Sequence, residues 1–355
     1  MGERILMKGN EAIGEAAIKA GCRFFFGYPI TPQNELPEYM SRRMPQVDGT
    51  FVQAESEIAA INMVYGAAGA GARAMTSSSS PGISLKQEGI SYIAGAELPA
   101  VIVNIVRGGP GLGGIQPGQG DYFQSVKGGG HGDYRLIVLA PANLQEAVDL
   151  VTEAFDLADY YRNPVLILGD GLLGQMMEPV EFKATKLREL PAKEWATNGL
   201  RNHGGKTNII NSLVLDPHGL EEHNIRLQEK YARIVEAEQK AEIVDCDDAE
   251  LAIVAYGSTA RIAKTAVTQL RQEGLKVGLI RPISLWPFPV KDFEKVIPTV
   301  KSFLTVEMSA GQMVEDVRLT VNGCKPVYFY GRMGGIVPAP EEIAAQVREI
   351  LGGAK

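Results

Sequence analysis

Residues 28–57 read YPITPQNELPEYMSRRMPQVDGTFVQAESE, and the fold follows from how this stretch begins and ends. An apolar run at residues 22–26 leads into Gly27-Tyr28-Pro29-Ile30-Thr31-Pro32, which reads as a strand ending in a rigid turn. The two prolines fix φ on either side of Thr31 and remove two backbone donors. The Thr31 hydroxyl is therefore expected at a defined place beyond a strand end, the side on which open α/β sheets bind ligands. A second short strand, residues 50–53, delivers Glu55-Ser56-Glu57 to the head of an Ala- and Gly-rich segment. A carboxylate entering such a run is either an exposed first-turn charge favoured by the helix dipole or a partly buried functional acid. Spacing alone leaves both readings of Glu57 open.

The alternation of strand and helix continues on either side. Asn10 can cap a helix to about residue 20, with Gly21 as its stop. Residues 33–42 read as a short helix limited by Pro37, and the helix opened by Glu57 runs to about residue 70. Its Gly66, Gly69 and Gly71 are poor helix formers and are read as close-packing positions. A strand at 72–76 ends in Ser77-Ser78-Ser79-Ser80-Pro81-Gly82, a donor-rich loop before a helix at 83–94. Residues 100–106 form an apolar run typical of a central parallel strand, with Arg107 at its end. The loop 108–133 follows with eleven glycines, and loops of this length are usually functional or mobile. A strand at 136–140, a helix at 143–160 and a strand at 165–169 complete a βα pattern.

Periodicity weakens over 171–247, which reads as a linker with partial structure of its own and one exposed helix at 221–238. The βα pattern resumes with strands at 251–256, 277–281, 302–306 and 327–330 and helices near 290–297, 311–321 and 340–351. The expected fold class is α/β: two doubly wound, mostly parallel-sheet domains over residues 1–170 and 248–355.

A chain of 355 residues suits two domains, and 45% hydrophobic with 22% charged residues suits large buried cores. A net charge of −7 without a basic tract argues against nucleic acid or an anionic membrane as partner. Cys22, Cys246 and Cys324 are too scattered for a disulfide framework or an iron–sulfur cluster. The first residues lack a signal-length apolar core and no run reaches transmembrane length, so a reducing cytoplasm is expected. The four histidines show no metal spacing. His131, Asp121, Tyr122 and Asp133 read as hydrogen-bonded loop residues near a site mouth. A GxSxG nucleophile elbow is missing.

Two motifs fail on context. Gly109-x-Gly111-x-x-Gly114 matches the dinucleotide fingerprint, but Pro110 and Pro117 leave no helix to receive a pyrophosphate. Gly169-Asp170-Gly171 with Asn198 imitates a metal–diphosphate motif whose Asp and Asn oxygens hold Mg²⁺. The segment between them does not read as the required βα unit.

YPITP, a Ser-Glu pair opening a small-residue helix, and an Arg closing the strand PAVIVNIVR together resemble the α subunit of thiamine-diphosphate-dependent 2-oxoacid:ferredoxin oxidoreductases. The resemblance covers nearly the whole chain. It is closest to the branched-chain (2-oxoisovalerate, or 3-methyl-2-oxobutanoate) subtype through GYPITPQNELPEYMS, MTSSSSPGISLKQEGISY and GRMGGIVPAPEEI. It implies a pyrimidine-binding domain at 1–170 and a transketolase C-terminal-like domain at 248–355. It implies oxidative decarboxylation of a 2-oxoacid with coenzyme A, giving acyl-CoA, carbon dioxide and reduced ferredoxin.

Several residue roles come with the resemblance. Glu57 becomes the carboxyl that hydrogen-bonds N1′ of the cofactor's aminopyrimidine, with Tyr28 and Pro29 beside the cofactor. Thr31 and Arg107 meet the substrate carboxylate, for which a guanidinium fork is suited. Glu55 stands where many relatives carry Gln. A β subunit would hold the diphosphate, Mg²⁺ and a cluster, a γ subunit most of the coenzyme A site, and a ferredoxin-like δ subunit further clusters. The whole would form a dimer of heteromers. A 2-oxoglutarate enzyme and a non-catalytic assembly subunit are the alternatives. The loop 108–133 is expected to close over the acyl end, with Leu112, Ile115 and Phe123 lining an apolar pocket. Lys127 is its only Lys or Arg, whereas 2-oxoglutarate needs a second cation for its distal carboxylate. Branched-chain 2-oxoacids are therefore the expected substrates.

Overall fold

The computed structural model describes residues 4–183, 188–199 and 205–352. Short runs of three to seven residues become strands, most of them where a helix returns the chain across the sheet. The first sheet takes β2 (Phe24–Gly27), β3 (Thr50–Gln53), β4 (Ala74–Ser78), β5 (Ala100–Val106), β6 (Ile137–Leu139) and β7 (Pro164–Asp170). Their helices are α1 (Gly9–Lys19), α2 (Glu35–Arg43), α3 (Glu57–Gly69), α4 (Ser80–Gly95) and α5 (Leu144–Tyr161). The second sheet takes β9 (Ala241–Val244), β10 (Leu251–Val254), β11 (Val277–Pro282), β13 (Ser302–Glu307) and β14 (Val327–Gly331). It is accompanied by α8 (Gly257–Gln272), α9 (Val290–Val296), α10 (Met313–Val321) and α11 (Pro340–Gly352).

Strand order in the first sheet is β12-β6-β7-β5-β4-β2-β3, where β12 is Ser284–Trp286, and in the second β14-β13-β10-β11-β9. All neighbours run parallel except β12 against β6 and β9 against β11. The pleat sorts each strand's side chains into separate layers. On β5, Val101, Val103 and Ile105 pack with α1 and α5, while Ile102 and Val106 pack with α3 and α4. That second layer continues without a break into Val254, Phe293 and Phe303, so one apolar core joins the two sheets. The far face of the second sheet is closed by α8 and α11, whose Val347 packs in one apolar cluster with Leu251 and Ile253.

Gln119 rivets the two sheets together. Its amide donates to the Tyr256 carbonyl at 2.9 Å and accepts from Thr259 Oγ1 at 2.8 Å and from the Met308 N–H at 2.9 Å. Nearby, Tyr122 of the same loop donates to Asp316 on α10 at 2.7 Å.

Local reasoning missed elements held by distant partners. β1 (Arg4–Lys8) pairs antiparallel with β8 (Met177–Glu181), after the short α6 (Gly171–Gln175). Asn10 does not cap α1. It is buried, and its Nδ2 donates to the Pro32 carbonyl and Glu35 Oε2, both at 2.9 Å. α7 (Pro217–Ala237) is not wholly exposed, because Leu227, Lys230, Tyr231 and Ile234 are buried. Of the three glycines read as packing positions, a Cβ at Gly66 would meet nothing among the described residues, one at Gly69 would be in ordinary contact with Ile210 and Leu98, and one at Gly71, left-handed at φ +88° just past α3, would lie 2.8 Å from Ala196 Cβ. The close approach between α3 and α4 is made at Gly82 and Gly89 of α4. His203 lies outside the described residues.

Candidate active site

β5, β4, β2 and β3 are parallel neighbours in that order, so their C-terminal ends open on one edge. That edge receives the Tyr28–Pro32 turn after β2, Glu57 after β3, Ser79 to Gly82 after β4 and Arg107 after β5. The end of β13 delivers Met308 to Gln312 to the same place. Ser80, Arg107 and the segment after β13 border a cleft of about 770 Å³, which Leu85, Asp121 and Met333 also line; Glu57 and the Tyr28–Pro32 turn are not in its lining.

Glu57 is the first residue of α3. Ser56 caps the helix, its Oγ accepting from the Ala59 N–H at 3.2 Å, which fixes where Glu57 stands. The carboxyl is buried at 6% exposure and lies against the first turn of α4. A Cβ built on Gly82 would sit 2.6 Å from Glu57 Oε1 and 2.1 Å from Ser78 Oγ, so only glycine allows this approach. The buried hydroxyls of Ser78 and Ser79 have no hydrogen-bond partner among the described residues.

Arg107 is 8% exposed. Its Nη1 donates to the Thr31 carbonyl at 3.0 Å and its Nη2 to the Leu112 carbonyl at 2.9 Å, and the buried Nε has no partner among the described residues. The resemblance sets Thr31 and Arg107 against one substrate carboxylate; in the structure they meet through the Thr31 carbonyl. The Thr31 hydroxyl accepts instead from Asn34 Nδ2 at 3.3 Å, and the Thr31–Pro32 peptide is cis. Ser80 links this end to Glu57: its Oγ accepts from the Arg107 N–H at 3.1 Å, and Gly82 touches the acid.

Other expected residues stand elsewhere. Tyr28, Pro29 and Glu55 are exposed and do not line the cleft. Leu112 and Ile115 do not line the cleft; they point outward at 81% and 56% exposure, and Phe123 packs against the core. The loop turns them out because Gly113, at φ +60°, folds it tightly back on the Gly108 carbonyl. Apolar lining comes from Leu85, Met308 and Met333 instead. Lys127 is paired with Asp316, away from the cleft. Asp170 accepts from the Leu172 and Leu173 N–H groups at 2.9 and 3.2 Å, as the cap of α6. His131 is exposed, edge-on to Tyr92. No group of three or more His, Cys, Asp or Glu among the described residues is arranged to hold a metal ion.

Two groups carry more weight here than the sequence gave them. Asp121 accepts from Asn104 Nδ2 at 2.9 Å within the cleft, and burial raises its carboxyl above the ordinary range against the pull of Asn104, Ser80 and Arg107. Lys86 on α4 is fully buried, and desolvation lowers its ammonium from 10.5 to about 7 despite the attraction of Glu57. A glycine four residues before Lys86 and another three after it are the sequence signs that this face of α4 turns inward.

Residues 15–244 match the family model of the thiamine-diphosphate-binding domain of pyruvate flavodoxin/ferredoxin oxidoreductases, and residues 249–343 match core domain II of pyruvate:ferredoxin oxidoreductase. The ketoisovalerate oxidoreductase subunit VorB of Methanothermobacter thermautotrophicus is 53% identical over 347 residues, 98% of each chain. The 2-oxoglutarate synthase subunit KorA of Methanocaldococcus jannaschii is 38% identical over 369 residues, 98% of this chain and 99% of that one. Among solved structures, 2-oxoglutarate:ferredoxin oxidoreductase from Magnetococcus marinus, with 2-oxoglutarate, coenzyme A and succinyl-CoA bound, superposes with a TM-score of 0.87 at 30% identity. The match covers 98% of this chain and 65% of that chain. With both domain models matched and relatives of equal length at this identity, the chain belongs to the family of thiamine-diphosphate-dependent 2-oxoacid:ferredoxin oxidoreductases.

Proposed function

We propose that this chain is the subunit of a 2-oxoacid:ferredoxin oxidoreductase that presents Glu57 to thiamine diphosphate and Arg107 to the carboxylate of a branched-chain 2-oxoacid. The observation that carries this reading is a buried carboxyl and a buried guanidinium at one sheet edge, joined by the Ser79 to Gly82 turn beneath an open cleft.

The residues fit the pyrimidine half of the cofactor. Glu57 Oε1 and the unpartnered Ser78 and Ser79 hydroxyls converge at the start of α4, a donor and acceptor set suited to a polar heterocycle. They do not make a diphosphate grip, since the Asp170 carboxylate is already bound to the backbone of α6. When bound, thiamine diphosphate supplies the nucleophilic carbon and the electron sink for loss of carbon dioxide. Glu57 holds the proton shared with N1′ of the aminopyrimidine. Arg107 has five donors and spends two on the Thr31 and Leu112 carbonyls, which orient the fork and leave its other donors for a carboxylate. Tyr28 and Pro29, exposed after β2, would lie on the cofactor side.

The substrate reading rests on charge. Arg107 is the only Lys or Arg among the described residues lining the cleft, and Lys127 is held by Asp316. A distal carboxylate would be buried without a cation, at a cost of several kcal/mol. Identity of 53% to the ketoisovalerate relative against 38% to the 2-oxoglutarate relative supports the same choice. The product is then the branched acyl-CoA, with carbon dioxide released and electrons passed to ferredoxin. Partner β, γ and δ subunits supply Mg²⁺, the diphosphate grip, most of the coenzyme A site and the iron–sulfur clusters, in a cytoplasmic dimer of heteromers.

The test is Glu57→Gln in the assembled complex. Proton–deuterium exchange at C2 of bound thiamine diphosphate, followed by NMR, should slow by about a hundredfold or more, the lower range of acid–base contributions. Exchange at the wild-type rate would remove Glu57 from the mechanism. A wild-type kcat/KM favouring 2-oxoglutarate over 2-oxoisovalerate would refute the substrate assignment.

A further inference from the structure

Asn10, in the first turn of α1, and Gln175, the last residue of α6, are far apart in sequence and meet on the same two acceptors. Glycines let the two elements close up. A Cβ on Gly9 would lie 1.9 Å from the Leu173 carbonyl oxygen, and one on Gly174 would lie 2.9 Å from Asn10 Oδ1. The Gly9 N–H also donates to the Met176 carbonyl at 3.0 Å. Side by side, both amides donate to the Pro32 carbonyl, Asn10 Nδ2 at 2.9 Å and Gln175 Nε2 at 3.0 Å. Both also donate to Glu35 Oε2 at 2.9 Å. An amide nitrogen carries two hydrogens, so each of these is fully spent on this pair of acceptors.

The clamp closes on a turn that is otherwise exposed. Tyr28, Pro29 and Thr31 face solvent, whereas Pro32 and Gln33 are buried. Gln33 is held from β4, where Ser77 Oγ donates to its Oε1. Two torsions separate the Pro32 carbonyl from the Thr31 carbonyl, and the proline ring fixes one of them, φ. Two donors on the Pro32 carbonyl restrain the other, ψ, so the direction of the Thr31 carbonyl is set with it. That carbonyl accepts from Arg107 Nη1 at 3.0 Å.

We propose that Asn10 and Gln175 are positioning residues for substrate recognition: by holding the Pro32 carbonyl they aim the Thr31 carbonyl at Arg107, and through it the guanidinium fork at the carboxylate of the 2-oxoacid. This inference rests on the assignment of Arg107 to that carboxylate. Fork-to-carboxylate contact is directional, so a rotated guanidinium loses one of its two parallel bonds. The loss falls on a group that every 2-oxoacid shares. Glu57, set in place by the Ser56 cap of α3, is left undisturbed.

The test uses the assembled complex with wild type, Asn10→Leu, Gln175→Met, Arg107→Ala, and each of the first two substitutions combined with Arg107→Ala. Leucine and methionine keep the shape of the side chains they replace and remove the donors. KM for 2-oxoisovalerate should rise about tenfold in Asn10→Leu and about threefold in Gln175→Met, with the same factors for other 2-oxoacids. C2 exchange of bound thiamine diphosphate should keep its wild-type rate in both. In the Arg107→Ala background neither substitution should lower kcat/KM further, because the fork they aim is gone. A merely structural loss would instead lower the apparent kcat, leave KM alone and multiply with Arg107→Ala.

A wild-type KM in Asn10→Leu and Gln175→Met, beside a lowered kcat/KM in Arg107→Ala, overturns the clamp alone. A full further loss in the double variants, or slowed C2 exchange in either single variant, does the same. A wild-type kcat/KM in Arg107→Ala overturns both this inference and the reading beneath it. Should Asn10→Leu fail to assemble, exposed Gln175 decides by the same criteria through Gln175→Met and its double variant.

Discussion

Replacing Gly82 by alanine presses a methyl group onto the acid. The new Cβ would lie 2.6 Å from Glu57 Oε1 and 3.0 Å from Glu57 Cγ, where ordinary contact begins at 3.4 Å. Oε1 must retreat by about 0.8 Å, the difference between 3.4 and 2.6, while Ser78 Oγ rotates away. A misplacement of about 1 Å at a reacting group costs roughly a hundredfold, so C2 exchange in the complex should fall by roughly that factor. Overpacking should also cost about 1–3 kcal/mol of stability, a fall of several degrees in Tm. Gly89→Ala is the control, because it crowds Ile61 Cγ2 at 2.5 Å on the same helix pair without touching the carboxyl. It should lose comparable stability and keep most of its exchange rate. If Gly82→Ala exchanges at the wild-type rate despite a lowered Tm, the position of Glu57 is not what sets the chemistry. If both variants lose rate equally, helix spacing is the cause.

Three further outcomes are expected. Arg107→Lys replaces an oriented fork with a point charge and should lower kcat/KM by about a hundredfold for every 2-oxoacid alike; a loss confined to one substrate would refute a contact with the shared carboxylate. Lys127→Ala removes a half-exposed partner of Asp316 and should cost no more than about 1 kcal/mol, leaving substrate preference unchanged in a panel of 2-oxoacids. Asp121→Asn should stabilise the chain at neutral pH. Burial raises the folded carboxyl above its ordinary 3.8, so the folded state holds the proton more tightly and stability falls as pH rises through the folded value. Denaturant titrations of both proteins should diverge at neutral pH and converge toward about pH 4.

The strands that build the site were legible because each is a short apolar run bounded by Gly, Pro or Ser, and β3 and β5 begin where the pattern put them. Register and partners were less so. Asn10 has every local mark of a cap, but its amide is used twenty-two residues away at Pro32. β9 and β12 are edge strands, each paired antiparallel with a single neighbour far away in sequence. Lys86 sits in a stretch, LKQEG, that reads as a solvated helix face; only the two flanking glycines betray the inward turn. The outward course of Leu112 depends on the tight turn at Gly113, which composition cannot supply. The roles of Glu57 and Arg107 came from resemblance, since spacing alone allowed a surface acid and a strand-end ion pair.

Gln119 also bears on how the molecule can move. The side chain is 2% exposed, and each of its buried bonds would cost about 1–3 kcal/mol to leave unmade. The loop that begins at Arg107 is thus bolted at its midpoint to the second sheet, and Gly118 packs directly on the Arg107 carbonyl. Any swing of one sheet against the other would be transmitted through this short lever to the guanidinium. Residues 109–116, on the open side of the bolt, are tied back by the Gly108 N–H to the Gln116 carbonyl at 2.8 Å and by Arg107 Nη2 to the Leu112 carbonyl at 2.9 Å. With Arg107 as the proposed carboxylate reader, that end of the site is held in register with the strand ends of both sheets.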